Sequence, residues 1–118
     1  EEWKLMKRHS IVGADVISRI PQLRFLAGPV RAHHERWDGT GYPDGLAGEV
    51  IPLAARIVAV ADAFSAITTD RPYSAARSSE EAVLELERCQ GSQFDPEVIQ
   101  ALLRVFGAAG DKRMDKAA

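Results

Sequence analysis

The sequence predicts an all-α protein of about five helices, part of a helical bundle. Apolar residues recur at intervals of three and four along most of the chain, which is the period of an amphipathic helix. No run alternates with a period of two for long enough to form a strand. Prolines and glycines fall between the periodic segments, where they would end one helix and begin the next.

The first predicted helix covers residues 2–20. An apolar stripe runs along this helix, and most of its charged residues lie off that stripe. The stripe comprises Trp3, Met6, His9, Gly13, Val16, Ile17 and Ile20. We therefore expect His9 to face the core. Pro21 should end the helix, because a proline disfavours helical backbone in the residue before it.

The second predicted helix covers about residues 23–36 and carries two adjacent histidines, with His33 on its apolar arc and His34 at the edge. Pro29 should either kink this helix or occupy the first turn of a shorter one. Residues 38–48 contain four glycines and a proline, so we expect an irregular loop there.

The third predicted helix covers residues 52–69 and is apolar almost all round. Such a helix belongs in the middle of a bundle, which would bury Asp62. Pro52 suits its first turn. An ionised carboxylate among alanine and valine side chains is costly unless a cation or several hydrogen-bond donors meet it.

The last two predicted helices begin with recognisable caps. Ser78 and Glu81 form a capping box, and Gly91 ends the helix that this box begins. Asp95 followed by a proline should cap a final helix that runs to residue 106. Small and charged residues at 107–118 predict a flexible tail.

Composition excludes several classes of protein. The 118 residues are 46% hydrophobic with a net charge of -2, so no excess of positive charge attracts a nucleic-acid polymer or anionic lipid. Cys89 is the only cysteine, which excludes an internal disulfide and suits a reducing compartment. No apolar run is long enough to span a membrane or to resemble a signal peptide. We therefore expect a cytoplasmic protein.

Four side chains from three predicted helices could bind metal: His9, His33, His34 and Asp62. Imidazole and carboxylate together suit Zn, Fe, Mn or Ni better than Ca, and they do not choose among those four. Neighbouring residues on a helix diverge by about 100°, so we expect His33 and His34 to bind different ions. Two ions bridged by a carboxylate and a hydroxide are suited to phosphodiester hydrolysis, with a metal-bound hydroxide as the nucleophile.

Structural alternatives remain open for each of these residues. His9 could be a hydrogen-bonded residue of the core or its rim, and one of the two adjacent histidines could face water. Asp62 could form a buried ion pair with Arg56 or Arg71. The glycine-rich loop could be only a connector.

Four separated motifs strengthen the enzymatic interpretation. They are MKRH at 6–9, HHERWDGTGYP at 33–43, IPLAARIVAVADAFSAITTDRPY at 51–73 and GSQFDPEVI at 91–99. In order and spacing they resemble the C-terminal part of the HD-GYP family, bacterial phosphodiesterases that hydrolyse cyclic di-GMP to pGpG or GMP. The resemblance covers residues 1–106, which it identifies as the C-terminal portion of such a domain.

The resemblance also implies roles for individual residues. A di- or tri-metal centre, of Fe, Mn, Zn or Ni, would be ligated by His9, His33, His34 and Asp62. Arg71 would contact a substrate phosphate, and Tyr42 and Pro43 would lie in a loop that controls substrate access. That signature loop comprises Asp38, Gly39, Gly41, Tyr42 and Pro43, and it is implicated in contacts with GGDEF-domain cyclases.

The chain departs from the family pattern at one essential point. The His-Asp doublet that names the family, and the lysine just after it, precede the matched region and occur nowhere in these residues. The sequence also begins without methionine, inside a helical pattern, as a piece of a longer protein would. We expect this portion alone to be weakly active or inactive, and its exposed apolar surface to drive homo-oligomerisation or a helix-swapped dimer.

Two other functions fit the same residues. The chain could be a non-catalytic module that binds a GGDEF-type partner through its signature loop. It could also be an HD-type hydrolase of another nucleotide. The main interpretation remains a cyclic di-GMP phosphodiesterase in bacterial signal transduction, such as a two-component system.

Overall fold

The computed structural model describes the backbone of residues 2–117 and the side chains of residues 4–5 and 7–107. Within this range it contains five α-helices and no named strand. The helices are α1 (Glu2–Ser18), α2 (Ala27–Ala32), α3 (Leu53–Thr68), α4 (Ser79–Arg88) and α5 (Pro96–Ala117), with short 3-10 helices at Pro21–Leu26 and Gly48–Val50. The all-α prediction is confirmed.

The predicted caps of α4 and α5 are confirmed. The Ser78 hydroxyl accepts a hydrogen bond from the Glu81 amide at 3.1 Å. The Asp95 carboxylate accepts one from the Glu97 amide at 2.9 Å, directly before the first turn of α5. Each bond satisfies an amide that has no partner within its own helix.

The predicted second helix is shorter than expected. Residues 21–26 form a 3-10 helix, and α2 contains only six residues, with Pro29 in its first turn. This agrees with the second of the two placements predicted for Pro29. Because α2 ends at Ala32, both adjacent histidines lie at or beyond its C-terminus.

The main core lies where α3, α4 and α5 meet. Val60, Leu86, Phe94 and Ile99 form one buried cluster there. Burying side chains of this size contributes about 1.5–3 kcal/mol each relative to leaving them in water. A second, smaller cluster of Ala32, Ile51 and Ala55 joins α2 to α3. These two clusters position the segment that carries the histidine pair.

The predicted core face of α1 is only partly right. Of the predicted stripe, Gly13 and Ile17 are half-buried, whereas His9, Val16 and Ile20 are exposed, and Trp3 and Met6 lie outside the described side chains. Among the described side chains of this helix, the fully buried ones are Ser10 and Ala14. A side chain at Gly13 would meet Val30 at 3.3 Å, so small residues allow α1 to approach α2 closely. Two neighbouring stripes of α1 share a period of 3.6 residues, and periodicity alone could not choose between them.

The predicted burial of Asp62 is also wrong, because this residue is exposed. α3 contacts α2, α4 and α5, but one of its faces has no neighbour among the described residues. Leu53 and Ile57 on that helix are at least half exposed. The expected exposure of apolar surface on the first and third helices is therefore confirmed, with Leu5 and Val12 contributing on α1.

α5 continues to Ala117, past the predicted end at residue 106. The flexibility expected for residues 107–118 remains a prediction, because the side chains after Gly107 lie outside the described residues. Across the described part of the chain, every helix is too short or too polar to cross a bilayer.

Candidate metal centre

The three histidines of the chain meet at one point. His9 extends from α1, and His33 and His34 extend from the turn after α2. One possible ligand nitrogen from each ring lies within 4.8 Å of the other two. Within the described side chains, this is the one group of three or more potential ligands that is close enough to hold an ion.

The rings of His33 and His34 do not diverge as expected, whereas their binding to different ions remains a prediction. Their ring centroids lie 4.0 Å apart, and both rings approach that of His9. The 100° divergence applies within a continuous helix. Here α2 ends at Ala32, and a tight turn follows in which the Glu35 amide bonds to the Ala32 carbonyl at 2.9 Å. The turn directs both imidazoles to the same side.

The hydrogen bond of the His33 ring leaves its second nitrogen available to a metal. His33 Nδ1 donates to the Val30 carbonyl oxygen at 2.5 Å, which leaves Nε2 as the free lone pair of that ring. His34 Nε2 lies 3.2 Å from His9 Nε2. Two ligands at about 2.0–2.1 Å from one ion would be roughly 3 Å apart, so this spacing fits a shared ion.

Asp62 lies close to the histidines but outside their cluster. It lines a cleft of about 410 Å³ together with His33, His34 and Arg71. Arg56, one of its two predicted ion-pair partners, instead bonds to Asp95 at 2.6 Å. An exposed carboxylate on the cleft wall can supply an oxygen ligand beside the imidazoles.

Arg71 is exposed on the turn after α3. Its backbone exchanges two hydrogen bonds with Ser74, at 2.8 and 3.1 Å. Its guanidinium donates to the Tyr73 hydroxyl at 3.3 Å and lines the same cleft as the histidines. The structure thus brings the three histidines together, and two of them share a cleft with Asp62 and Arg71.

The signature loop folds against the histidine pair. The Tyr42 ring stacks on His34, with centroids 5.1 Å apart, and the Tyr42 amide donates to the His34 carbonyl at 3.3 Å. Tyr42 and Pro43 are not among the residues that line the cleft. Asp38 accepts hydrogen bonds from the Thr40 amide and hydroxyl, and Gly39 adopts a φ of 83° that favours glycine.

The far end of the chain anchors this loop. The Trp37 amide donates to the Gln93 carbonyl at 3.1 Å, and the Asp38 amide donates to the Ser92 carbonyl at 2.8 Å. The GSQFDP turn between α4 and α5 is therefore part of the support of the site. The cleft also includes Arg36 and Gln93, which sequence reasoning missed. Both residues lie within motifs quoted above, Arg36 at 33–43 and Gln93 at 91–99, so the motifs could have indicated them.

Burial lowers the pKa of His34 below its ordinary value, and the nearby charges of His33 and His9 lower it further, while Asp62 opposes the shift. Between that lowered pKa and 6.5, the unfolded chain binds a proton that the folded chain does not, so stability rises with pH. We expect the metal-free protein to lose stability as the pH falls below about 6.5.

Chemical denaturation at pH 7.5 and at pH 5.5 measures this loss. In His34→Gln, which cannot titrate, the difference between the two pH values should shrink. An equal difference in the wild type and the variant would show that other groups cause the pH dependence.

The fold and the site together define an all-α protein in which three histidines meet beside a polar cleft. The family model described as HD domain matches residues 1–98. The chain belongs to this HD domain family.

The chain is also similar in sequence to proteins that are named as phosphodiesterases. The chain is 50% identical over 107 residues to the cyclic di-GMP phosphodiesterase response regulator RpfG of Xanthomonas campestris, covering 88% of this chain and 28% of the relative. It is 44% identical over 107 residues to a cyclic di-GMP phosphodiesterase of Thermotoga maritima, covering 89% of this chain and 29% of the relative. The chain thus spans less than a third of the length of these relatives.

A solved structure is also similar. A cyclic GMP-AMP specific phosphodiesterase of Vibrio cholerae, V-cGAP3, superposes with a TM-score of 0.76 at 28% sequence identity. The match covers 88% of this chain and 24% of that one. The likeness supports the helical arrangement described above.

Proposed function

We propose that this chain is the C-terminal portion, residues 1–106, of an HD-GYP phosphodiesterase that hydrolyses cyclic di-GMP to pGpG or GMP. The observation that carries the proposal is the convergence of the three histidines, whose ligand nitrogens lie within 4.8 Å of one another. The relatives named as cyclic di-GMP phosphodiesterases support the choice of reaction.

The metal ligands in this proposal are His9, His33, His34 and Asp62. Nitrogen ligands with one carboxylate suit Fe, Mn, Zn or Ni, and the proposed complete site holds two or three such ions. When bound, the ions supply Lewis-acid activation of water and of the phosphate oxygens. The chain's part is to fix the histidine rings, through the His33 bond to Val30 and the stacking of Tyr42 on His34.

Arg71 is the proposed substrate contact, because its guanidinium shares a cleft with the histidines and a phosphodiester is anionic. Tyr42 and Pro43 are proposed to act from the signature loop, where the Tyr42 ring lies against His34. The His-Asp doublet is not in the sequence, so we expect weak turnover or none from these residues alone.

A second substrate is supported by a specific observation. The similar solved structure is named as a cyclic GMP-AMP specific phosphodiesterase, and a relative from Vibrio cholerae, 37% identical over 105 residues, is named as 3'3'-cGAMP-specific. Both this dinucleotide and cyclic di-GMP present phosphodiesters to the same metal centre. Product analysis with each dinucleotide, in parallel, separates the two proposals.

The remaining proposals concern partners and location. A GGDEF-domain protein could bind the exposed parts of the signature loop, and the open apolar surface of α1 and α3 supports a homo-oligomer or a helix-swapped dimer. We propose that the protein acts in the cytoplasm, which a cyclic dinucleotide substrate and a single cysteine support. No membrane or nucleic-acid polymer is part of this function.

The test measures metal binding and turnover together. The chain is titrated with Mn²⁺ or Fe²⁺ and incubated with cyclic di-GMP, and pGpG and GMP are quantified. We expect His34→Ala to weaken metal binding about 100-fold or more, because one of three converging imidazoles is lost.

The matched control is Arg19→Ala, which removes an exposed charge just after α1. A wild-type chain that binds no metal would contradict the proposal. Binding to a GGDEF domain by a chain with no metal affinity would favour the non-catalytic module instead.

A further inference from the structure

Glu35 follows the two histidines directly, and its position invites the interpretation that it is a further metal ligand. The structure gives it another role. The residue is only 4% exposed. One carboxylate oxygen accepts the Asp44 amide at 2.7 Å, and the other accepts the Leu46 amide at 3.0 Å. Both oxygens are therefore engaged by the backbone at the end of the signature loop.

These two bonds hold the far end of the signature loop to the histidine turn. Earlier in the loop, the backbone of Gly41 packs closely on the histidine turn. An added Cβ at Gly41 would lie 2.6 Å from the His34 carbonyl oxygen. The Tyr42 amide also donates to that oxygen at 3.3 Å. A buried carboxylate without partners is costly, so Glu35 and the loop amides stabilise each other. Displacing Glu35 would release the loop and the turn together.

The turn that carries Glu35 also sets the directions of the two histidines. The Glu35 amide donates to the Ala32 carbonyl at 2.9 Å, so the residue is fixed at both its backbone and its side chain. His33 and His34 lie between Ala32 and Glu35, the two residues that this backbone hydrogen bond joins. Their ring centroids can remain 4.0 Å apart only while this turn keeps its shape.

We propose that Glu35 is a positioning residue of the metal centre, which holds the signature loop and the histidine turn in register and is not itself a metal ligand. This inference rests on the proposed metal site. It does not depend on the identity of the substrate.

Glu35→Gln tests the inference, because it keeps the size of the side chain and one acceptor oxygen. Its amide group would face one of the two loop N–H groups without accepting from it. We expect the affinity of the chain for Co²⁺ and Mn²⁺ to fall about 10- to 100-fold with unchanged stoichiometry, and the Co²⁺ absorption spectrum to change. Glu49→Gln, an exposed residue with the same change of charge, is the matched control and should behave as the wild type.

Amide hydrogen exchange supplies a second measurement on the metal-free chain. The Asp44 and Leu46 amides should exchange at least about tenfold faster in Glu35→Gln, while the amides of α4 stay unchanged. Should that variant fail to fold, Glu35→Asp keeps the charge, reaches only one of the two amides, and should show the same changes to a smaller extent.

Three results would overturn the inference. Metal affinity and loop exchange equal to the wild type would show that Glu35 positions nothing. Loss of one bound ion per chain in Glu35→Gln would show that Glu35 is a ligand. A wild-type chain without metal affinity would overturn this role together with the proposed site, whereas intact metal binding without affinity for cyclic di-GMP would contradict the proposed function alone.

Discussion

Replacing Arg56 by methionine is expected to lower the free energy of unfolding by about 3–5 kcal/mol. Arg56 donates to Asp95 at 2.6 Å, and their side chains are 14% and 1% exposed. Arg56 also donates to the Ile51 carbonyl at 2.9 Å. Without the guanidinium, a buried carboxylate and a carbonyl lose their partner, and the α5 cap loses its neutralising charge. Urea denaturation of the wild type and the variant measures the loss.

Two further variants make this test specific. Arg19→Met removes a fully solvated ion pair with Asp15, so it should leave the midpoint of unfolding nearly unchanged. Adding Asp95→Asn to Arg56→Met should recover part of the stability, because asparagine still caps a helix and carries no buried charge. Equal losses in Arg56→Met and Arg19→Met would contradict the argument from burial.

Gly41→Ala is expected to displace the signature loop from the histidine turn. The added Cβ would lie 2.5 Å from the Arg36 nitrogen, 2.6 Å from the His34 oxygen and 2.7 Å from the Glu35 Cα. All three are backbone atoms, so no side-chain rotation can relieve the contact. We expect a stability loss of about 1–3 kcal/mol and a fall of about tenfold or more in metal affinity. Thermal unfolding and metal titration measure the two effects.

Gly28→Ala is the matched control for this substitution. Gly28 lies in α2, close in sequence to the histidines, and an added Cβ there meets nothing within 4 Å. Alanine also favours the helix over glycine, so this variant should be as stable as the wild type or more so. Wild-type metal affinity in Gly41→Ala would show that the loop can move without disturbing the histidines.

The sequence predicted the elements whose signals are local. Ser78 with Glu81, and Asp95 before Pro96, identified the beginnings of α4 and α5, because a cap needs only a few adjacent residues. The four ligand candidates came from residue type and from the motifs. Three of them lie close together, and their role as metal ligands remains a prediction.

The predictions that were wrong concerned how the helices pack on one another and where they end. α1 packs on α2 through small residues, among them the buried Ser10, and His9 is left exposed; hydrophobicity alone gave Ser10 little weight. Asp62 is exposed because no other helix in the described part of the chain covers its side of α3, and the composition of α3 does not indicate which side its neighbours cover. The early end of α2 invalidated the helical divergence of His33 and His34. Each of these facts is a property of tertiary packing.

The residues that anchor the signature loop are synthesised after the loop itself. His9 and the histidine pair leave the ribosome well before Ser92 and Gln93, whose carbonyls hold the Asp38 and Trp37 amides. A nascent chain that ends at residue 90 already contains all three imidazoles and lacks those two anchors. The finished geometry of the loop therefore depends on synthesis having passed the α4–α5 turn.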